Sequence, residues 1–101
     1  MPSQPSPSQL APPVITVVQA PACHFCQDAH DALVELARQY PLTVRSLEVY
    51  SEEGRALVAE HRPAMSPLVL LDGEYFSAGR LPRKKLVAAL RARPVLTGAG
   101  A

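Results

Sequence analysis

The sequence lacks a charge excess, a long apolar run and a rich supply of cysteine, and each absence excludes a class of protein. Ten basic and nine acidic residues in 101 give a formal net charge of +1, so we expect no binding to nucleic acid through phosphate neutralisation. No apolar run approaches the roughly 20 residues that a membrane-spanning helix needs. Two cysteines are too few for a disulfide-rich scaffold. With 48% apolar and 19% charged residues, the composition is that of one globular domain.

The N-terminal segment also lacks the features of a secretory signal, because it has neither a basic start nor an apolar stretch. We therefore expect a cytoplasmic protein that does not associate with membranes. In such a reducing compartment, a close pair of cysteines is more often catalytic or metal-binding than structural.

The ends of the chain differ in composition from its middle. Residues 1–13 are rich in proline, serine and glutamine and carry no charge, which predicts a disordered tail or, alternatively, a polyproline recognition segment. Residues 94–101 are expected to be frayed. The predicted folded domain is 14–93.

Apolar periodicity predicts an α/β fold with the order β-α-β-α-β-β-α. The predicted strands are 14–18, 42–49, 68–71 and 74–77, and the predicted helices are 23–40, 51 to about 61, and a final one after Pro82. The first two strands are expected to be parallel, while Asp72-Gly73 predicts an antiparallel hairpin. The nearly continuous apolar run 14–18 suits a central strand buried on both faces, and Ser51, which two acidic residues follow, is expected to cap the second helix. Helices would cover both faces of one four-stranded mixed sheet.

The motif Cys23-His24-Phe25-Cys26 lies where the first strand gives way to the first helix. Two intervening residues allow a disulfide within the first helical turn. Free backbone N–H groups and the helix dipole favour a thiolate at Cys23, and a protonated His24 would add to that stabilisation. Cys26 lies one turn further in, so we expect it to be more buried and suited to resolving a mixed disulfide.

Two other interpretations of the cysteine pair stay open. The cysteines could simply pack in the core. Alternatively, Cys23 and Cys26 could hold a metal or a shared iron–sulfur cluster. For zinc, Cys26 and His30 share a helix face and His61 is a conceivable fourth ligand, although no second C-x-x-C or H-x₃₋₅-H is present.

Pro67 directly precedes a predicted buried strand, where it cannot donate to a ladder. It is either the first residue of that strand or a cis-proline whose loop lies against the cysteines. In the second case the Ser66 amide and carbonyl would dock an extended substrate. Arg80, Arg83, Lys84 and Lys85 form the densest basic stretch, which is either a solvated helix start or a patch that attracts an anionic thiol or an acidic protein.

Four segments, together with their order and spacing, resemble the glutaredoxin-like proteins of the thioredoxin superfamily, in particular those of the Cys-His-x-Cys type. The segments are Pro21–Cys26, Met65–Gly73, Ala78–Leu81 and Lys85–Leu86. The resemblance covers about residues 14–91. It implies a thioredoxin-like fold, Cys23 as the nucleophile, Cys26 as the resolving thiol and Pro67 as a cis-proline.

The resemblance further implies a thiol–disulfide oxidoreductase that reduces protein or low-molecular-weight disulfides. Ser66, Pro67 and Gly79 would bind substrate and His24 would stabilise the thiolate. No tightly bound cofactor or metal is expected, and glutathione, another small thiol or a reductase would supply electrons to a monomeric protein. The chain departs from the usual glutaredoxin pattern at His24-Phe25, where that family has Pro-Tyr, and it lacks the usual lysine before the motif.

Overall fold

The computed structural model describes residues 12–92, and within them a four-stranded sheet is flanked by three helices. In chain order the elements are β1 (Val14–Gln19), α1 (His24–Ala37), β2 (Thr43–Glu48), α2 (Glu52–His61), β3 (Leu68–Leu71), β4 (Glu74–Ala78) and α3 (Arg83–Arg91). The strands lie in the order β2-β1-β3-β4. Strand β1 pairs with β2 in parallel and with β3 antiparallel, and β3 pairs antiparallel with β4. The predicted order of elements, the parallel pair and the hairpin are confirmed.

Strand β1 is central and buried on both faces. Ile15 and Val17 face a core formed with the apolar residues of α1 and α3, among them Leu33 and Leu86. Val18 faces a second cluster, in which Leu57 belongs to α2. Because β-branched and apolar residues follow one another without alternation, β1 can be covered by helices on both sides. Helices therefore lie on both faces of the sheet, as predicted.

Helix α1 ends earlier than the sequence predicted. The predicted helix extends to Tyr40, whereas the α-helix ends at Ala37. The N–H groups of Arg38 and Gln39 donate to carbonyls three residues earlier, so the last turn tightens towards 3₁₀ geometry. The proline at position 41 also excludes Tyr40 from the α region, which ends the helix within this turn.

Part of the predicted tail packs against the domain. Pro13 is fully buried, and its carbonyl oxygen accepts the N–H of Thr43 at 2.9 Å. Pro13 therefore extends the contact between β1 and β2 by one residue. The rest of the predicted disordered and frayed segments, 1–11 and 94–101, lies outside the described residues. Within the described residues, no helix is long and apolar enough to cross a membrane.

The hairpin between β3 and β4 turns through Asp72 and Gly73, both at positive φ (51° and 86°), as a two-residue hairpin of this hand requires. Asp72 Oδ1 accepts the Val14 N–H at 2.8 Å. In addition, the Asp72 N–H donates to the Val14 carbonyl oxygen at 2.8 Å. Asp72 thus fastens the turn to the start of β1.

Replacing Asp72 with alanine is expected to lower the free energy of unfolding by about 1–2 kcal/mol, because an acceptor is lost and alanine resists the left-handed conformation. Asp72→Asn keeps both the acceptor oxygen and the tolerance of positive φ, so it should stay within about 0.5 kcal/mol of the wild type. Urea unfolding of both variants measures the difference. An equal loss in both variants would contradict this role, since it would implicate the charge instead.

Candidate active site

The two cysteines lie at the carboxyl-terminal end of β1, where α1 begins. Cys23 is the N-cap of α1, with φ −114° and ψ 111°, and its Sγ accepts the Cys26 N–H at 3.0 Å. The two cysteines form a disulfide with a Cα–Cα distance of 5.1 Å, within the usual range for such bonds. A sulfur in this position receives a hydrogen bond that stabilises negative charge when the disulfide is reduced.

The two sulfurs differ in accessibility. Cys26 is 5% exposed because it lies on the face of α1 that packs on the sheet, with Ala29 and Leu33 on the following turns. Cys23 is partly exposed. Cys23 is therefore the more accessible sulfur, and the prediction that Cys26 is the more buried of the pair is confirmed.

The loop before β3 lies directly against Cys23. The Ser66 carbonyl oxygen is 3.8 Å from Cys23 Sγ, and the peptide bond between Ser66 and Pro67 is cis. Pro67 itself is fully buried. Among the described residues the Ser66 N–H has no hydrogen-bond partner. A substrate attached to Cys23 would thus meet a backbone donor and a backbone acceptor at Ser66.

Gly79, which directly follows β4, supports this loop. Its N–H donates to the Pro67 carbonyl oxygen at 3.0 Å, and its φ of 84° is one that glycine adopts freely. A Cβ at this position would lie 3.2 Å from Met65 Sδ. Since its N–H already has a partner, Gly79 contributes to the site by holding the loop in place.

His24 is the first residue of α1 and is exposed. Within residues 12–92 its side chain makes no hydrogen bond, so any effect on the Cys23 thiolate acts through charge across solvent. Salt screens such effects, whereas the hydrogen bond from the Cys26 N–H is fixed by the helix.

Because of this geometry, His24→Ala is expected to slow alkylation of reduced Cys23 only about two- to fivefold at low salt. The difference should shrink towards none at 0.5 M salt, since exposed charges are screened there. Iodoacetamide labelling under single-hit conditions, followed by mass spectrometry, gives both rates. A loss of tenfold or more that persists in high salt would show that His24 contacts the sulfur directly.

The other residues singled out in the sequence are dispersed. His30 lines a groove next to the cysteines, but His61 lies against Tyr75, with ring centroids 6.4 Å apart. No group of three or more His, Cys, Asp or Glu side chains suited to a metal ion occurs among the described residues. The two cysteines therefore supply only two of the ligands that a metal centre within one chain would need.

Two of the four basic side chains near the start of α3 are already engaged. Arg83 pairs with Asp28 at 2.9 Å, and Lys85 donates to the Phe76 carbonyl oxygen at 3.0 Å. Arg80 and Lys84 are exposed. These contacts fasten α3 to α1 and β4, which gives part of the basic stretch a structural role.

Two grooves lie near the disulfide, and the sequence analysis did not identify Glu48 or Arg55, which line them. The β2-side groove, about 560 Å³, is lined by both cysteines together with Gln19, His30 and Glu48. The α2-side groove, about 450 Å³, is lined by Ser66, Arg55 and apolar residues. Gln19 and Glu48 end the parallel strands β1 and β2. This position could have identified them as candidate site residues from the sequence, because ligands commonly bind at the carboxyl ends of parallel strands.

Known structures provide an independent comparison for this arrangement. A thioredoxin-like protein from Clostridium perfringens is 12% identical and has a TM-score of 0.69, covering 90% of this chain and 78% of its own. A mutant thioredoxin from Halobacterium salinarum NRC-1 is 22% identical with a TM-score of 0.63, covering 85% of this chain and 78% of its own.

The fold is thioredoxin-like. The sequence resemblance and the structural comparison agree on this point. No family model matches the sequence, and no curated protein matches it. At these identities the comparisons show the fold alone.

Proposed function

We propose that this protein is a thiol–disulfide oxidoreductase that works through both cysteines of its Cys23-His24-Phe25-Cys26 motif. The observation that carries the proposal is the asymmetric disulfide at the start of α1. One sulfur is partly exposed and accepts a backbone N–H, and the other is buried next to it. This arrangement supplies an accessible nucleophile together with a shielded thiol that completes the exchange.

In the reduced protein the Cys23 thiolate attacks one sulfur of a substrate disulfide. A bond forms between Cys23 and that sulfur, the substrate disulfide breaks, and the departing thiolate takes a proton from solvent. The Cys26 N–H stabilises the Cys23 thiolate before attack. The free N–H and the carbonyl of Ser66 lie beside the new bond, where they can pair with the substrate backbone.

In the second step Cys26 loses its proton and attacks Cys23 Sγ. The Cys23–Cys26 disulfide forms again, and the substrate leaves as a thiolate that takes up a proton. The protein has then given up two electrons. A dithiol, two molecules of a monothiol, or a reductase must return them before the next cycle.

The finer parts of the proposal come from the sequence resemblance. We propose a glutaredoxin-like enzyme of the cytoplasm, acting as a monomer on protein or small-molecule disulfides, with a small thiol such as glutathione or a reductase as electron donor. The departures at His24-Phe25 and the missing lysine before the motif make the identity of the donor the first question for experiment.

A steady-state assay with three electron donors tests this function. Reduction of insulin and of 2-hydroxyethyl disulfide is measured with dithiothreitol, with glutathione plus its reductase, and with a thioredoxin reductase. We expect catalysis with at least one donor. A rate equal to that without protein, for every pairing of donor and substrate, would overturn the proposal.

A further inference from the structure

The α2-side groove begins at the site of exchange. Ser66 belongs both to the groove and to the contact with the disulfide, since its carbonyl oxygen is 3.8 Å from Cys23 Sγ. The apolar residues that form the rest of the groove come from the turn after β2, from α2 and from the loop before β3; they are Val49, Val58, Ala59, Pro63, Ala64 and Met65. Residues next to the substrate cysteine would therefore lie along an apolar wall.

Arg55 is the charged side chain that lines this groove. Its guanidinium makes no hydrogen bond or ion pair with the described residues. Other arginines do have acidic partners: Arg45 binds Glu53 at 2.9 Å and Arg38 binds Glu35 at 3.3 Å. An arginine without a partner beside an apolar surface is suited to a carboxylate, because its planar group can donate two parallel hydrogen bonds.

The β2-side groove is lined by a charged residue of the opposite sign. The acidic residue that lines it is Glu48, which accepts a hydrogen bond from Gln19 Nε2 at 3.2 Å. The α2-side groove contains Arg55 and reaches the site at Ser66, whereas the β2-side groove contains Glu48 and is lined by both cysteines. An acidic side chain is attracted towards the first groove and repelled from the second.

We propose that the α2-side groove docks an extended segment of a protein disulfide substrate and that Arg55 selects a carboxylate on that segment, on one side of the substrate cysteine. The inference rests on the proposed function and specifies its substrate class. Pairing with the Ser66 backbone sets the register, the apolar wall takes a neighbouring side chain, and Arg55 binds aspartate or glutamate.

Matched peptides test the docking role. Each of three peptides has one cysteine joined by a disulfide bond to 2-mercaptoethanol. One peptide has an aspartate before that cysteine, the second has an aspartate after it, and the third has asparagine at both places. Pre-reduced protein is mixed with each peptide under single-turnover conditions. Cys23 attacks the peptide sulfur, 2-mercaptoethanol leaves with a proton, and Cys26 then releases the peptide thiol while the disulfide forms.

We expect one aspartate peptide to react about threefold faster than the asparagine peptide at low salt, and this ratio to fall towards one at 0.5 M salt. In Arg55→Gln the ratio should be one at both salt concentrations, and in Arg55→Glu it should fall below one. Arg38→Gln is the control, because it removes a cation that lines neither groove, and it should keep the wild-type ratio.

The result also separates this inference from the function on which it rests. If wild-type protein reduces 2-hydroxyethyl disulfide but treats all three peptides alike, the docking role is wrong and the oxidoreductase stands. If an aspartate preference persists in Arg55→Gln, another residue carries it. If only the mixed disulfide with glutathione depends on Arg55, the groove binds that small thiol and not a protein segment. Failure on every disulfide overturns the proposed function itself.

Discussion

Cys23→Ser is expected to lower the rate of disulfide reduction by at least about a thousandfold, to the rate without protein, because no second accessible sulfur can replace the nucleophile. Cys26 is 5% exposed, and its position under the first turn of α1 keeps incoming disulfides away. The free energy of unfolding of the reduced variant should stay within about 1 kcal/mol of that of reduced wild type, since serine is also a favourable N-cap.

Cys26→Ser should behave differently because it keeps the nucleophile. Cys23 still attacks, but nothing resolves the bond, so a mixed disulfide with the substrate accumulates on Cys23. Intact-mass analysis after mixing with 2-hydroxyethyl disulfide should show one adduct per chain, and peptide mapping should place it on Cys23. A stable adduct on Cys26 in the Cys23→Ser variant, formed as fast as that on Cys23, would reverse the roles.

Gly54→Ala is expected to lower the free energy of unfolding by about 2–3 kcal/mol, although alanine normally stabilises a helix relative to glycine. Gly54 is the buried residue of α2. An added Cβ would overlap the Glu48 carbonyl oxygen and lie 2.9 Å from Ser51 Oγ. Because the Glu48 oxygen belongs to the backbone, the end of β2 and the start of α2 must separate to relieve the contact.

Two variants show whether this loss arises from the contact with Glu48. Ala56→Gly, at an exposed position of the same helix, should cost about 1 kcal/mol, as ordinary helix propensity requires. Ser51→Ala removes the N-cap acceptor of the Gly54 N–H and should also cost about 1 kcal/mol. Thermal and urea unfolding measure the free energy of unfolding of all three variants relative to wild type. A Gly54→Ala variant more stable than wild type would mean that glycine is not required there.

The parts of the fold that sequence reasoning predicted depend on local patterns. The motif at Cys23, the cap at Ser51 and the turn at Asp72 are each specified by residues a few positions apart, and each forms at the expected place. The continuous apolar run of β1 likewise predicted a central strand, because burial on both faces leaves no alternation.

The features that sequence reasoning missed depend on contacts between distant segments. Pro13 is buried where its carbonyl oxygen accepts the Thr43 N–H, and position 54 needs glycine because the Glu48 carbonyl lies against it. Arg55 resembles any exposed helical arginine until α2 is placed beside the Ser66 loop. Such residues are identified only from the folded structure, because the residues next to them in the sequence do not distinguish them.

The most direct test of dithiol exchange in this protein is the stoichiometry of a single turnover. Fully reduced protein is mixed with an equimolar disulfide, without any other reductant, and quenched with acid and then an alkylating reagent. If exchange proceeds through both cysteines, each chain converts one disulfide into two thiols, loses two thiols of its own and gains a disulfide that peptide mapping assigns to Cys23 and Cys26. Unchanged protein thiols alongside intact disulfide, or a stable adduct on Cys23 without closure of that bond, would contradict it.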